Sequence, residues 1–461
     1  MQVPLFGKAI RSKSANVSAQ SRLNVYAEFP EDQDKSPVIL YPTPGLTLSA
    51  DLSGDPIRGV YTRGVLRYVV QQASLFEIAD DGTTTNRGTF SSIGGRVCMS
   101  SNDTQLFIVD GLKAYTYTYA TTTLAEVTDS DFPDGATTCT YLDGYFIVEE
   151  VDTQNFWISA VDDGTSWDGA DFDNADQNPD NIVRVFADHG ELLIFGEASI
   201  EFWANSGSTD FPFSRLTSIE TGCAAKWSIA KFSTSVMFLA ADRLGHVQVV
   251  LLNGYTPQTV STPDLETIIN GYSVTSDATA FSYRMNGHTF YQITFPTAGR
   301  SWLYDGTSGI WSEVQSNGGR HIADLGTQYA GSTYVTDYDS GKLYKLDPDS
   351  YTDNGQRITR RFVSRHIFSE SQVSVDSLVI DMETGVGLAT GQGSDPQVML
   401  RYSVDGGHSW SSEVWEPMGA IGEYLTRVKF DRLGRARDFT FEITVTDPVK
   451  TVFFNGYIDR S

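Results

Sequence analysis

The 461-residue chain carries 58 acidic and 33 basic side chains, which gives a formal net charge of −25, and 12% of its residues are aromatic. This aromatic content supplies enough apolar surface for a packed core and excludes a disordered chain. The longest apolar run, residues 236–241, is far shorter than the ~20 residues of a membrane-spanning helix, so we predict no membrane span. The acidity also excludes a protein that grips nucleic acid by neutralising phosphates.

The negative charge is concentrated in the first three quarters of the sequence. Residues 351–461 hold 15 acidic and 12 basic side chains, a net charge of −3, and residues 1–350 carry the remaining −22. Two interpretations are open. The charge keeps the protein soluble, or it forms a surface that repels a polyanion.

The first predicted element is an arm. Residues 1–45 contain Pro4, Pro30, Pro37, Pro42 and Pro44. Proline removes a backbone donor and fixes φ, which disfavours regular structure. We therefore predict an extended N-terminal arm that packs against something else.

Residues 46–350 repeat one pattern of short strands and turns rich in Gly, Asn and Asp. The central apolar runs of its copies are anchored, in order, at Leu66, Leu106, Tyr145, Leu192, Val236, Phe290 and Tyr334. A spacing of about 40–50 residues with four strands per copy is typical of a β-propeller, because one such sheet cannot bury both faces alone. We predict about seven blades, with six or eight as alternatives.

One short helix is predicted within this region. Thr262 can cap a helix N-terminus, Pro263 suits the first helical position, and Gly271 can end the helix. Helical signals are nearly absent elsewhere, so the chain is predicted to be all-β.

Residues 351–461 form a second predicted domain. A polar linker, residues 347–357, precedes five segments that read as strands: residues 373–382, 397–405, 424–430, 438–447 and 451–458. Apolar residues at every second position, as in Phe439, Phe441 and Ile443, indicate strands with one buried and one solvated face. This pattern predicts a β-sandwich.

Residues 403–410 match S-x-D-x-G-x-[ST]-W, the Asp-box motif of sialidases, through Ser403, Asp405, Gly407 and Trp410. In such a motif the aspartate caps backbone N–H groups and glycine takes unusual dihedral angles. We therefore interpret these residues as a structural turn, and residues 161–167 as a looser second copy. A sialidase would also need an arginine trio and a Tyr/Glu nucleophile pair, which the repeats do not offer.

No other pattern indicates a catalytic, metal or cofactor site. Residues 162–180 hold seven aspartates but fail the EF-hand spacing, since Asp176 stands where glycine is required and Ile182 where glutamate is required. We predict an acidic surface loop, with an adventitious calcium site as the alternative. The three cysteines have no CxxC spacing and the six histidines no HxH or HExxH pattern, so we predict free thiols, no cofactor and no enzyme activity.

The one dense basic stretch, residues 427–438, contains Arg427, Arg432, Arg435 and Arg437. We predict that it forms a turn between two sandwich strands. One interpretation is a solvated turn with interleaved acids. The other is an interface that docks an acidic partner or neighbouring subunit, for which the forked guanidinium is suited.

Three segments resemble the tail-hub, or packaged-DNA stabilisation, proteins of short-tailed bacteriophages. In residues 156–203 an aromatic-Trp-Ile-Ser segment precedes an acidic loop, a Pro-Asp pair and a Phe-Gly…Ile-Glu strand pair. The matching positions are Trp157, Ser159, Pro179, Asp180, Phe195, Gly196, Ile200 and Glu201. Residues 427–450 and 23–46 are similar as well.

This resemblance implies a non-enzymatic virion component. A homo-hexamer would form the nozzle below the head-to-tail adaptor ring, close the DNA exit channel after packaging, stabilise the packaged DNA, and carry tailspikes, fibres or a needle. Genomic double-stranded DNA would pass through the lumen without tight binding, and assembly would take place in the host cytoplasm. The alternative is a glycan-binding or glycan-hydrolysing propeller, which arginines repeated at the blade tops would favour; the sequence offers none.

Overall fold

The computed structural model describes residues 2–3, 5–31 and 36–460. Within them the chain is all-β apart from one α-helix and one short 3-10 helix, which confirms the predicted fold class. The strands form a β-propeller and a C-terminal β-sandwich, and strands of the N-terminal segment belong to both.

The strands are numbered in chain order. The N-terminal segment contains β1 (Gln2–Val3), β2 (Ser21–Leu23), β3 (Val25–Glu28), β4 (Ile39–Pro42) and β5 (Gly45–Asp51). Propeller units 1 and 2 contain β6 (Ile57–Arg63), β7 (Leu66–Gln71), β8 (Ser74–Ile78) and β9 (Thr84–Thr89), then β10 (Cys98–Ser101), β11 (Gln105–Val109), β12 (Ala114–Thr118) and β13 (Thr123–Glu126). Units 3 and 4 contain β14 (Cys139–Leu142), β15 (Tyr145–Glu149), β16 (Asn155–Ala160) and β17 (Asp163–Asn174), then β18 (Ile182–Asp188), β19 (Glu191–Gly196), β20 (Ile200–Asn205) and β21 (Phe213–Ile219).

The remaining elements follow in the same order. Unit 5 contains β22 (Gly222–Cys223), the 3-10 helix Lys226–Ser228, β23 (Ala230–Phe232), β24 (Ser235–Ala241), β25 (Val247–Asn253) and β26 (Thr256–Thr259), and helix α1 (Pro263–Ile269) follows it. Unit 6 contains β27 (Thr279–Met285), β28 (His288–Phe295), β29 (Arg300–Asp305) and β30 (Ile310–Ser316), followed by β31 (Gly319–Arg320), and unit 7 contains β32 (Ala323–Tyr329), β33 (Ser332–Asp337) and β34 (Lys342–Asp347). The C-terminal region contains β35 (Thr352–Asp353), β36 (Gln356–Arg357), β37 (Arg360–Val363), β38 (Ile367–Met382), β39 (Gln397–Ser403), β40 (Val414–Pro417), β41 (Val428–Val445) and β42 (Phe453–Arg460).

The propeller units pack against one another in a closed ring. The first strand of each unit contacts the corresponding part of the next, and β32 of unit 7 contacts β6 of unit 1. Apolar side chains from adjacent units share one cluster, as Phe156 of unit 3 does with Trp203 of unit 4, whose rings meet edge-on at 5.1 Å. Burying such side chains supplies about 1.5–3 kcal/mol each, which explains why the sheets stack radially.

Counted as separate sheets among the described residues, the blades number six rather than the expected seven. Six blades are separate sheets, whereas the four strands of unit 6 belong to a 15-stranded sheet that continues into the C-terminal domain. Unit 7 is completed by β5, which pairs antiparallel with β34. The ring is therefore closed by a strand that precedes the whole propeller in sequence.

The N-terminal arm packs against the rest of the chain, as predicted, and it does so through short strands. Its strand β1 pairs with β42, β2 pairs with β37, and β4 pairs with β42, so the segment contributes strands to the sandwich. The domain boundaries 1–45, 46–350 and 351–461 stay a prediction. Residues 1, 4, 32–35 and 461 lie outside the described residues.

The sandwich differs from prediction at one strand. Residues 424–430 and 438–447 were expected as two strands separated by a turn, but β41 runs unbroken over 18 residues. Its first part pairs with β38 and its last part with β37 and β39, so one strand takes part in both sheets. The predicted helix is confirmed as α1, because the Thr262 side chain accepts a hydrogen bond from the Leu265 N–H.

Candidate functional site

The basic stretch lies on a strand rather than on a turn. Arg432, Arg435 and Arg437 are exposed on β41, and Arg427 is exposed immediately before it. The register shifts by one residue between Asp431 and Gly434, and Arg432 has φ +62°. The bulge interrupts the alternation of buried and exposed side chains, so two exposed residues lie between each of the buried residues Phe430, Leu433 and Ala436. The turn prediction for this stretch is therefore wrong.

The four arginines have no acidic partner of their own. Among the described residues none of them forms an ion pair, and the neighbouring Lys429 is the cation that pairs with Asp431, at 2.8 Å. With 58 acidic and 33 basic side chains, the chain has more than enough carboxylates to pair with every cation, yet none of these four arginines pairs with one within the described residues. These exposed, unpaired guanidinium groups along the bulged strand and at the residue before it are therefore a candidate surface for an acidic partner.

An apolar loop precedes this strand. Ile421, Tyr424 and Leu425 are 63%, 71% and 98% exposed. The loop is held in place, because the Thr384 hydroxyl donates to the Tyr424 carbonyl (3.0 Å) and the Gly422 N–H donates to the Gly385 carbonyl (3.0 Å). The sequence signal for it is Ile421 before Gly422 and the pair Tyr424 and Leu425 shortly before the basic stretch.

The aspartate-rich segment is mostly strand, not loop. Its first part is β17, the outermost strand of unit 3. Trp167 is buried, and its indole N–H donates to the Gly164 carbonyl at 3.0 Å. In the part of the chain that the structure describes, no group of three or more His, Cys, Asp or Glu side chains is placed to hold a metal ion.

The Asp-box residues form a compact turn between β39 and β40. The Ser403 hydroxyl donates to Asp405 (2.7 Å) and accepts from the Gly407 N–H (2.8 Å), and the N–H groups of His408 and Ser409 donate to Asp405 at 3.0 and 2.9 Å. The Ser409 hydroxyl and N–H hold the pKa of Asp405 well below its usual range. These contacts use the carboxylate as a cap.

The glycines of this turn allow a close approach to the N-terminal segment. A Cβ on Gly406 would overlap the Asn16 side chain, and one on Gly407, at φ +86°, would lie 2.9 Å from the Ala19 Cβ. Trp410 is half-buried with the Arg401 guanidinium 5.8 Å from its ring centre. The turn therefore supports the packing of residues 15–19, a contact that the motif alone did not reveal.

The residues that carry the family resemblance have structural contacts. Asp180 accepts hydrogen bonds from the N–H groups of Ala198 and Ser199 at 2.7 and 3.0 Å. A Cβ on Gly196 would overlap that carboxylate. Glu201 accepts from the Gln177 N–H (2.8 Å) and from the Trp203 indole (3.0 Å). Together these contacts bind the segment that follows β17 to unit 4.

A cleft of about 560 Å³ lies where α1, unit 6, the N-terminal segment and the Asp-box turn meet. Two of its four arginines lie against carboxylates: Arg300 pairs with Glu313, and Arg361 lies 3.9 Å from Glu442. Arg22 donates its hydrogen bonds to backbone carbonyls. The fourth arginine of the cleft, Arg11, is exposed and forms no ion pair among the described residues.

Comparison with protein families identifies the chain. The family described as "Bacteriophage P22 Gp10, beta-propeller" matches residues 1–351, and "Bacteriophage P22 Gp10, beta-sandwich" matches residues 359–460. The chain belongs to this family. The resemblance to phage tail-hub proteins is confirmed, and membership of the P22 Gp10 family makes the chain a structural protein of the phage tail and hence a virion component.

The other comparisons are less specific. No curated protein matches. Among solved structures, the chain is similar to the Pan2 WD40 domain of Neurospora crassa (7% identity, TM-score 0.44, 66% of this chain and 96% of that chain) and to BamB from Moraxella catarrhalis (10%, 0.42, 65% and 97%). It is also similar to the computationally designed Ika8 protein (9%, 0.39, 71% and 100%). In the described residues, no helix has the length and apolar character needed to cross a membrane.

Proposed function

We propose that this P22 Gp10 family protein forms the hub, or nozzle, of a short phage tail. In this role it closes the DNA exit channel after packaging, stabilises the packaged DNA and provides the platform for tailspikes, fibres or a needle. The observation that carries the proposal is the match of both domains to one tail-protein family, over residues 1–351 and 359–460.

The charge distribution supports a channel through which DNA passes without sticking. The net charge of −22 in residues 1–350 repels phosphates, so DNA in a lumen lined by these surfaces would not adsorb. The fold is consistent with a static part. Backbone pairing between β2 and β30, and between β2 and β37, joins the propeller to the sandwich, so the two domains resist separation.

The proposed partners are further copies of the chain, the adaptor ring above and the tailspike, fibre or needle proteins below. We propose a homo-hexamer, at least on the adaptor ring. The arginines Arg427, Arg432, Arg435 and Arg437 are proposed as an interface, because they are exposed and unpaired among the described residues. Native mass spectrometry with the adaptor ring tests this, and only 1:1 complexes at every concentration would contradict it.

The experiment for the central role is a nonsense mutant grown in a non-suppressing host. We expect capsids that fill with DNA and terminate packaging, yet lose the DNA, measured as encapsidated DNA protected from nuclease. The matched control is the same mutant with the protein supplied from a plasmid, which should restore protection. Stable, DNA-filled particles that lack only host attachment would instead assign a receptor-binding role.

A further inference from the structure

One segment of the propeller, which includes unit 3, is strongly acidic. Between Lys113 and Arg184 the sequence contains fifteen aspartate and glutamate residues and no lysine or arginine. This segment includes all of unit 3, whose outermost strand is β17. Among the described residues, the ion pairs that its carboxylates make are with cations from outside the segment, such as the pair of Asp176 with Arg215 at 3.0 Å.

The carboxylates at β17 crowd one another. Asp168 is exposed, and Asp171 and Asp173 are partly exposed on the same strand. Asp131 comes close as well, since a Cβ on Gly169 would lie 3.5 Å from its carboxyl carbon. Burial, and after it the charge of Asp168, raises the pKa of Asp171, so repulsion between these two carboxylates contributes to the shift. A cation brought to this strand would relieve it.

The acidic strand β17 and the basic part of β41 carry opposite charges, and each has exposed apolar side chains beside it. Beside the acidic groups, Phe172 is 38% exposed and stacks on Trp157, and Val161 is 62% exposed. Beside the four arginines of the C-terminal domain lies the apolar loop with Leu425 at its tip. Arginine and aromatic side chains next to exposed apolar groups are the composition of protein–protein contact sites.

The two surfaces lie on opposite parts of the molecule. The C-terminal domain is joined to the propeller at unit 6, through β2 and β30, and at unit 7, through β35 and β5. Unit 3 is three units away from both around the ring, the greatest separation that seven units allow. One chain therefore cannot pair these surfaces with each other. Two copies can, and each copy then offers both surfaces again, which gives a head-to-tail assembly.

We propose that the arginine-bearing part of β41 in one copy binds the aspartate-bearing strand β17 of a second copy. This inference rests on the proposed multi-copy hub and names its subunit contact. The apolar groups beside each strand are covered in the same contact, and the charges set its direction and its dependence on salt.

The test uses charge reversal on each side in the full chain. One variant carries Arg432→Glu and Arg435→Glu, and the other carries Asp168→Lys and Asp171→Lys. In sedimentation velocity at low salt we expect wild-type protein to self-associate and each variant to associate at least ~10-fold more weakly. An equimolar mixture of the two variants should regain association beyond a dimer, with the variants in alternating order, because both contacts between unlike copies are complementary and only contacts between like copies repel.

Two further variants make the test decisive. The four-fold variant, with both sides reversed, should regain self-association, because the exchanged charges are again complementary. Control reversals at exposed sites elsewhere, Asp80→Lys with Asp103→Lys and Arg243→Glu with Arg357→Glu, should associate like wild type. Wild-type protein that stays monomeric up to ~100 µM at low salt would overturn the proposal, as would a mixture of the two variants that associates no better than either variant alone. If self-association does not behave as expected, but plasmid-supplied protein still restores DNA retention to the nonsense mutant, only this contact is rejected. If the nonsense mutant retains its DNA without the protein, the hub role itself is rejected.

Discussion

Replacing Arg22 tests the joint between the propeller and the sandwich. Arg22 lies on β2 and is 5% exposed. Its guanidinium donates to the carbonyls of Gly7 (2.7 Å), Ala9 (3.1 Å), Lys8 (3.3 Å) and Trp311 (2.9 Å), and in the described part of the chain no carboxylate pairs with it. One side chain therefore holds the N-terminal segment to β30 of unit 6.

The magnitude follows from two opposing effects. Burial lowers the pKa of Arg22 from 12.5 to about 10, which corresponds to about 3 kcal/mol against the charged form. Hydrogen bonds from a charged group contribute about 1.5–3 kcal/mol each, and here four carbonyls accept them. The bonds outweigh the burial, so we expect Arg22→Ala to cost about 3 kcal/mol or more in the local stability of residues 5–24.

Hydrogen exchange followed by mass spectrometry measures this loss directly. A cost of 3 kcal/mol makes exchange about 100-fold faster in peptides that contain Leu23 and Asn24, whose N–H groups are protected by pairing with β37 and by the Glu313 carbonyl. Arg22→Lys should fall between wild type and alanine, because ammonium keeps the charge but lacks the planar fork.

The matched control is Arg11→Ala, which replaces an exposed arginine on the same segment. It should change the free energy of local opening, calculated from the exchange rates, by less than about 0.5 kcal/mol. Exchange in Arg22→Ala that equals the wild-type rate would refute the reasoning, because it would mean that the carbonyls find other donors at no cost.

Three further predictions concern other parts of the molecule. Asp405→Ala should lower the melting temperature near neutral pH more than Asp81→Ala does. Because the pKa of Asp405 is depressed, its contribution to stability is present above the ordinary aspartate pKa and is lost as pH falls, so the difference in melting temperature should shrink in an acid titration. Glycosidase turnover by the wild-type protein would contradict the turn role. The hydrogen bond that the His288 imidazole donates to the Asp305 carboxylate raises the pKa of this buried histidine. His288→Gln should therefore be most destabilising below pH 6.5, and the difference from wild type should shrink as pH rises through the folded pKa, measured by urea denaturation. A pH-independent difference would be inconsistent with this. Charge reversal of Arg432, Arg435 and Arg437 should leave the melting temperature nearly unchanged and reduce incorporation of the protein into tails. Unchanged incorporation would support the other interpretation, a solvated surface without an interface role.

Local patterns determined the repeating part of this protein. The alternation of apolar runs with Gly, Asn and Asp turns fixed the strands of each unit, because turn dihedrals and side-chain alternation depend on neighbouring residues only. The same holds for α1, where Thr262 and Pro263 sit at adjacent positions that cap and start a helix. The amino-acid sequence alone also indicated the tail-protein resemblance, and it contained no recognisable catalytic pattern.

Tertiary structure alone decided which distant segments pair. Strand β5 completes unit 7 across almost 300 residues, and β2 lies between β30 and β37, since edge strands accept any partner with free backbone groups and sequence does not name that partner. The turn predicted at the basic stretch failed for a related reason. Gly434 and the polar residues around it suit a turn, but pairing with β38 on one side stabilises a bulged, continuous strand instead. That pairing is what spreads the four arginines along an exposed edge and makes them a surface.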